Sequence, residues 1–94
     1  MSEPDQVGPV LEAGAVAEAI VRAIRELNRD VSVQDRGSYL RVLVPGRCVL
    51  ERATLERILG RPFALPGDLE LSMVAFRGAI SIDADAVVWT DGRQ

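Results

Sequence analysis

The chain contains no histidine and no lysine. Without histidine it lacks the side chain that most often acts as a general base near neutral pH and most often binds a metal ion. A single cysteine, Cys48, excludes an internal disulfide, a thiolate metal cluster and a Cys–His nucleophile pair. Aromatic residues make up only 4% of the chain, and no RNP-like aromatic motif for stacking on bases is present. There is no Walker loop and no GxGxxG fingerprint to cradle phosphates. The apolar runs are a few residues long, too short to span a bilayer. Met1 to Gln6 is polar and acidic, without the apolar stretch of a signal peptide, so a cytoplasmic protein is expected. The basic residues are all arginine, 11 against 14 acidic residues for a net charge of −3. With no basic cluster to meet a phosphate backbone, a nucleic-acid partner is not expected. Neither metal, flavin nor haem is expected to be held by this chain alone. The inventory is that of a protein that binds something and does no chemistry itself.

What is present fits one folded domain. The 94 residues are 48% hydrophobic and 27% charged, a composition that is globular and not disordered, at a length that supports one core. Residues 1–6 are expected to form a flexible tail, 7–90 the domain and 91–94 a short C-terminal tail. Val7 to Leu11 reads as a short extended run, with Pro9 suited to an edge or a first strand position because proline cannot donate to a ladder.

Gly14 to Asn28 carries the clearest helical period. Val16, Ile20, Ile24 and Leu27 share one face, Ala17 and Val21 widen it, and Glu18, Arg22, Arg25 and Glu26 occupy the other. Val31 to Gln34 alternates as a strand, Asp35 to Ser38 is a turn, and Tyr39 to Val44 resumes as a strand. Pro45-Gly46 turns the chain into Arg47–Leu50, which predicts a three-stranded meander. Arg52 to Leu59 reads as a helix with Ala53, Leu55, Ile58 and Leu59 on its buried side. Gly60 stands at the left-handed position past its end, and Pro62 bars continuation. Phe63 and Leu65 are expected to pack back on the core.

Leu69 to Met73 alternates as a strand, Val74 to Gly78 breaks the alternation and reads as a loop, and Ala79–Ile82 with Val87–Thr90 forms a hairpin around Asp83-Ala84-Asp85. The expected fold class is therefore α+β: a single two-layer domain, β-α-β-β-β-α-β-β-β, with small, mostly antiparallel sheets. Cys48 is expected to be a small buried hydrophobe. Asp83 and Asp85 fit a solvated turn and no EF-hand pattern. Asp35, Arg36 and Tyr39 fit a turn held by local hydrogen bonds. In Val74–Gly78 an aromatic and an arginine, types enriched at interface hot spots, stand in the expected loop. From pattern alone Phe76 is equally an interface anchor or a plug for the core.

Four collinear segments carry a resemblance. Val31-Ser32-Val33-Gln34-Asp35-Arg36 with Tyr39 resembles the V-x-V-x-D-R-x-x-Y segment of the effector (coupling) proteins of soluble diiron monooxygenases. Val7-Gly8-Pro9-Val10 with Ala13-Gly14 is similar to that family's opening strand, and Leu59-Gly60-Arg61-Pro62-Phe63 to its L-G-R-x-F helix exit. Leu69-Glu70-Leu71 followed by Ala75-Phe76 and Gly78 is similar to the strand and loop that come next. The likeness runs from Val7 to Trp89. It is strongest to effector subunits of four-component toluene, alkene or isoprene monooxygenases; the long N-terminal tail of the methane monooxygenase regulatory protein has no counterpart here.

The resemblance implies a cofactor-less, non-enzymatic subunit, monomeric when free, that docks on a diiron hydroxylase and tunes substrate access and the coupling of NADH and O2 use to hydroxylation or epoxidation. Its partner-facing positions would be Ser72, Val74, Ala75, Phe76 and Arg77, with Gln6 and Val7 as flanking candidates. Asp35, Arg36 and Tyr39 match the motif as structural or as partner-facing residues. A free-standing ferredoxin-like module that binds a small molecule is the alternative from another class. No membrane association is expected under either reading.

Overall fold

The computed structural model describes residues 4–92. Its elements are β1 (Gln6–Glu12), α1 (Ala15–Leu27), β2 (Ser32–Asp35), β3 (Tyr39–Pro45), β4 (Arg47–Glu51), α2 (Arg52–Leu59), α3 (Gly67–Ser72), β5 (Met73–Arg77), β6 (Ala79–Ile82) and β7 (Ala86–Thr90). The first helix forms where the apolar period places it. Ala17, Ala19, Ile20, Ala23 and Ile24 are buried along one stripe of α1, while Glu18, Arg22, Arg25 and Glu26 are exposed. That stripe lies against α2 and β4. Helix α2 ends as expected at Gly60, which takes the left-handed conformation and donates its N–H to Glu56 O at 2.8 Å. Leu55 is its fully buried residue, and Ala53, expected to be inside, is exposed.

The strands divide into two antiparallel sheets, one ordered β2-β3-β1-β5 and the other β4-β7-β6. This α+β architecture agrees with the expected class and differs in partition. The predicted meander breaks at Pro45-Gly46. β2 and β3 do pair, but the other side of β3 is taken by β1, with Val7 opposite Val44. The chain therefore turns through Gly46 at φ 74° and enters the second sheet as β4, paired with β7. Nor do the strands form the single helix-backed sheet of a ferredoxin-like module.

Pro9 suits an edge or a first strand position, yet it lies in the middle of β1, which is interior to its sheet. The hydrogen bonds Gly46 N–H to Asp5 O (2.9 Å) and Ala13 N–H to Ser38 O (3.0 Å) bracket the β1–β3 ladder. By the two-residue alternation of antiparallel pairing, the odd-numbered residues of β1 turn their backbone groups towards β3. Pro9 has no N–H to give there, and the β1–β3 register is interrupted at Gly8 and Pro9. Gly8 is required at this gap: its φ is 146°, and a Cβ would lie 2.4 Å from Val42 O.

Two further differences concern residues 67–77. Leu69–Met73 is not a strand: Gly67–Ser72 is a helical turn and a half. Asp68 Oδ2 accepts the Ala64 N–H at 2.7 Å, and the Asp68 N–H donates to Ala64 O at 2.9 Å, closing the entry to α3. The expected loop Val74–Gly78 is in turn a strand, β5, which adds to the free side of β1 with Pro9 opposite Phe76. Its alternation is hidden because an outer strand exposed on both faces needs no apolar period. At Gly78 the chain bends out of the first sheet into β6 of the second.

One core lies between the layers. Val7, Leu11, Ile20, Ile24, Val42, Leu50, Leu55, Phe63, Leu69, Val87 and Trp89 are buried together, and Leu65 packs against them. Of the expected N-terminal tail, residues 1–3 lie outside the described residues, and Gln6 belongs to β1. Of the expected C-terminal tail, residues 93–94 lie outside them, and the Asp91 N–H donates to Gly46 O at 3.1 Å. Among the described residues no helix is long and apolar enough to cross a membrane.

Candidate functional site

The described surface carries three large exposed hydrophobic side chains, and all belong to one stretch of chain. They are Leu71 at 79% exposure, Val74 at 63% and Phe76 at 41%. Leu71 stands at the end of α3; Val74 and Phe76 are exposed on β5. Clustered apolar exposure of this kind marks a surface that meets another molecule. Ala75 and Arg77 are exposed beside them and Ser72 is half-buried. The Arg77 side chain makes no hydrogen bond or ion pair among the described residues, leaving a charged group at the rim of the patch.

Phe76 is not a plug for the core: it is exposed, and the core is filled by other residues. Of the two flanking candidates, Gln6 is half-buried at the start of β1, opposite Pro45. Val7 is 1% exposed. Its Cγ1 lies 2.8 Å from where a Cβ on Gly78 would sit, so Val7 supports the β5–β6 bend from below and does not itself face solvent.

Sequence reasoning missed Leu71, the most exposed of the three. Read as a strand, Leu69, Leu71 and Met73 would point the same way. In the helix Leu69 is 0% exposed and Leu71 points out. The available signal was Pro66-Gly67-Asp68, a helix entry in which the aspartate precedes the apolar residues. Leu71 and Ser72 also border two shallow recesses of about 220 Å³ each, one reaching Glu12–Ala17 and one reaching Arg61, Phe63 and Asp68. Leu71 therefore stands as a ridge between two hollows.

Other singled-out residues serve the fold. Asp35 Oδ1 accepts the Gly37 N–H at 2.9 Å, and the Arg36 N–H donates to Tyr39 O at 2.9 Å, which is the locally bonded turn expected from the sequence. Asp83 Oδ1 accepts the N–H groups of Asp85 (2.8 Å) and Ala86 (2.9 Å), closing the β6–β7 hairpin. Arg52 ties α2 to that hairpin through Nε to Ala84 O (2.8 Å), an ion pair with Asp85 (3.2 Å) and one with Glu56 (3.2 Å). The Asp85 hydrogen bond, followed by the Glu56 charge, holds the guanidinium above its already high ordinary pKa. Glu56 Oε2 also accepts the Phe63 N–H at 2.8 Å, anchoring the exit from α2. Arg57 and Glu26 pair across α2 and α1.

Cys48 is fully buried, and burial pushes its thiol up to about 12. Among the described residues no three histidine, cysteine or acidic side chains converge as a metal-ligand set. Among the described residues there is no nucleophile–base pair, and the distinctive surface is the apolar ridge of α3 and β5.

The chain is thus a small two-sheet α+β domain with an apolar ridge on α3 and β5. The family model described as the MmoB/DmpM family matches residues 5–90, and the chain belongs to this family. A curated relative, the effector subunit of an alkene monooxygenase system from Xanthobacter autotrophicus (strain ATCC BAA-1158 / Py2), is 38% identical over 85 residues, 88% of this chain and 83% of that protein. Two solved structures of a phenol hydroxylase–regulatory protein complex contain chains of the same fold. One superposes with a TM-score of 0.80 at 21% identity, covering 90% of this chain and 95% of its own. The other has a TM-score of 0.74 at 24% identity, covering 89% and 99%.

Proposed function

We propose that this chain is the effector subunit of a multicomponent monooxygenase and acts by docking its α3–β5 ridge on the diiron hydroxylase. Family membership over residues 5–90 and the kinship with an alkene monooxygenase effector subunit support the first part. The observation that carries the second is that, among the described residues, the large exposed hydrophobics are Leu71, Val74 and Phe76. Ser72, Ala75 and Arg77 complete the contact, Gln6 flanks it, and Val7 contributes by holding the bend at Gly78. The chain supplies no reacting group. Its influence on the hydroxylase comes from binding one conformation of that enzyme better than another, a differential of about 1–3 kcal/mol for coupling of this kind. In this way it tunes access to the diiron site and the yield of hydroxylated or epoxidised hydrocarbon per NADH.

The test is a titration of the chain into the hydroxylase and reductase of its own system, following product formed per NADH consumed. Turnover and coupling should rise to a plateau. Phe76→Ala and Leu71→Ala should each shift the titration to higher concentration; a hot-spot loss of about 2 kcal/mol corresponds to roughly thirtyfold. Excess variant should restore the plateau if only docking is weakened, whereas a failure to transmit the effect would lower the plateau itself. A hydroxylase that neither binds the chain nor responds to it would overturn the reading.

A further inference from the structure

An oxygen atom added across an alkene double bond makes an epoxide, a strained ring that a thiolate or a neutral amine opens. The effector reading places this chain beside the enzyme that would release such a product, so its own nucleophiles matter. The sequence holds no lysine and no histidine, and its 11 basic residues are all arginine. A guanidinium stays protonated and has no free lone pair. The strong nucleophiles of an ordinary protein surface therefore reduce here to one thiol, that of Cys48, besides the amine of a chain terminus.

Cys48 is 0% exposed and lies in the core with Ile20, Ile24, Leu50 and Trp89. Its strand is covered along both edges. β7 pairs with one, Trp89 standing opposite Cys48. On the other the Asn28 side chain takes the place of a neighbouring strand: its Nδ2 donates to Val49 O at 2.8 Å and its Oδ1 accepts the Val49 N–H at 2.9 Å. Helix α1, which carries Ile20 and Ile24, lies against β4 as well. An electrophile reaches the sulfur only when these elements part. Burial also pushes the thiol up to about 12. Near neutral pH the folded chain thus holds almost no thiolate, the form that reacts. The Tyr39 phenol and the Met73 thioether are both half-buried, and they and the carboxylates are much weaker nucleophiles toward an epoxide.

We infer that the folded chain is inert to the epoxide its hydroxylase would release, because no side chain on its surface carries an amine or a thiol and its one cysteine is closed in the core. This deepens the effector reading and rests on it, taken for a hydroxylase that oxidises an alkene. A subunit that works beside the source of an electrophile is then not consumed by it. Opening removes the protection. The thiolate of an opened chain attacks a ring carbon, the C–S bond forms as the ring C–O bond breaks, and the alkoxide takes a proton from water. The added group has no room in a filled core, so a chain caught open is lost.

The probe is propylene oxide, a short terminal epoxide, in excess over the full chain near neutral pH, with adducts counted by intact mass and placed by peptide fragmentation. The folded chain should gain no side-chain adduct over a time in which Arg22→Cys, which puts a thiol on the exposed face of α1, gains one at position 22. In urea the parent chain should gain one adduct at Cys48. Under native conditions Ile24→Ala and Asn28→Ala should speed alkylation of Cys48 by about tenfold for each 1.4 kcal/mol of stability they lose, because the reactive form is the opened chain. Side-chain adducts on the folded parent, or a Cys48 rate that does not follow stability, would overturn the inference. Epoxide-treated chain should stimulate the hydroxylase as untreated chain does. If only the treated chain fails, inertness is wrong; if the untreated chain fails too, the effector reading itself falls.

Discussion

Cys48 has no exposed surface and sits on β4 opposite Trp89 of β7. Its thiol, ordinarily near 9.0, is pushed up by desolvation to about 12. Between those values the folded chain keeps a proton that the unfolded chain has released. The contribution of Cys48 to stability is therefore complete below about pH 9 and falls as the pH rises above it, by at most ~1.4 kcal/mol per pH unit. Denaturant titrations at pH 8 and pH 10.5 should show a smaller alkaline loss for Cys48→Ala than for the parent chain. Folded protein at pH 8 should also react with a thiol reagent only as fast as it opens. Gly78 makes a different demand. Its φ is 99°, and a Cβ would meet Thr90 O at 2.4 Å and Val7 Cγ1 at 2.8 Å. A backbone oxygen cannot swing aside as a side chain can, so Gly78→Ala should cost more than the ~1–3 kcal/mol of a strained φ alone. The thermal midpoint should fall accordingly.

At the scale of the element, α1 shows most plainly what a sequence makes legible. Its apolar residues recur every three to four positions, and the helix lies where that period puts it, with Ile24 0% exposed at the centre of the stripe. Ile24→Ala should lose about 2–5 kcal/mol in denaturant melts, and Arg22→Ala on the opposite face less than about 1 kcal/mol. Asn28 reads in the sequence as a helix stop and does more. Its amide also donates to Ile24 O at 2.8 Å, so one side chain joins the end of α1 to the edge of β4. Asn28→Ala should cost about 1 kcal/mol, the scale for losing part-buried hydrogen bonds, where a mere helix stop would cost about a few tenths. The elements misread are α3 and β5, and for physical reasons. Six residues are too few to establish a helical period, and Leu69, Leu71 and Met73 fit a strand as well. β5 has solvent on both faces, so nothing in its sequence needs to alternate.

Across the whole molecule, the α+β class was legible because helices and strands announce themselves locally. The division of strands between two sheets was not, because partner choice is made over long separations: β1 joins β3 and β5, and β4 joins β7. The resemblance and the aromatic–arginine pair put the candidate site on the stretch of chain that carries the large exposed hydrophobics among the described residues. Its most exposed member, Leu71, was lost with the misread helix. The sheets are joined at Gly46 and again at Gly78, with a single continuous core between them. Neither sheet has an interior of its own, so the two should not melt separately. Far-UV and near-UV circular dichroism should follow one coincident urea transition; two separated transitions would show that the layers are independent.

Trp89 is the chain's only tryptophan, 0% exposed, and its Nε1 has no hydrogen-bond partner among the described residues. It is thus an optical marker sealed away from solvent, whereas Leu71, Val74 and Phe76 are on the surface. Its emission should lie to the blue and resist iodide quenching, and it should keep its colour when a partner covers the ridge. Intrinsic fluorescence of this chain accordingly reports whether it is folded and stays silent about whether it is bound. A binding assay needs a dye on the α3–β5 surface.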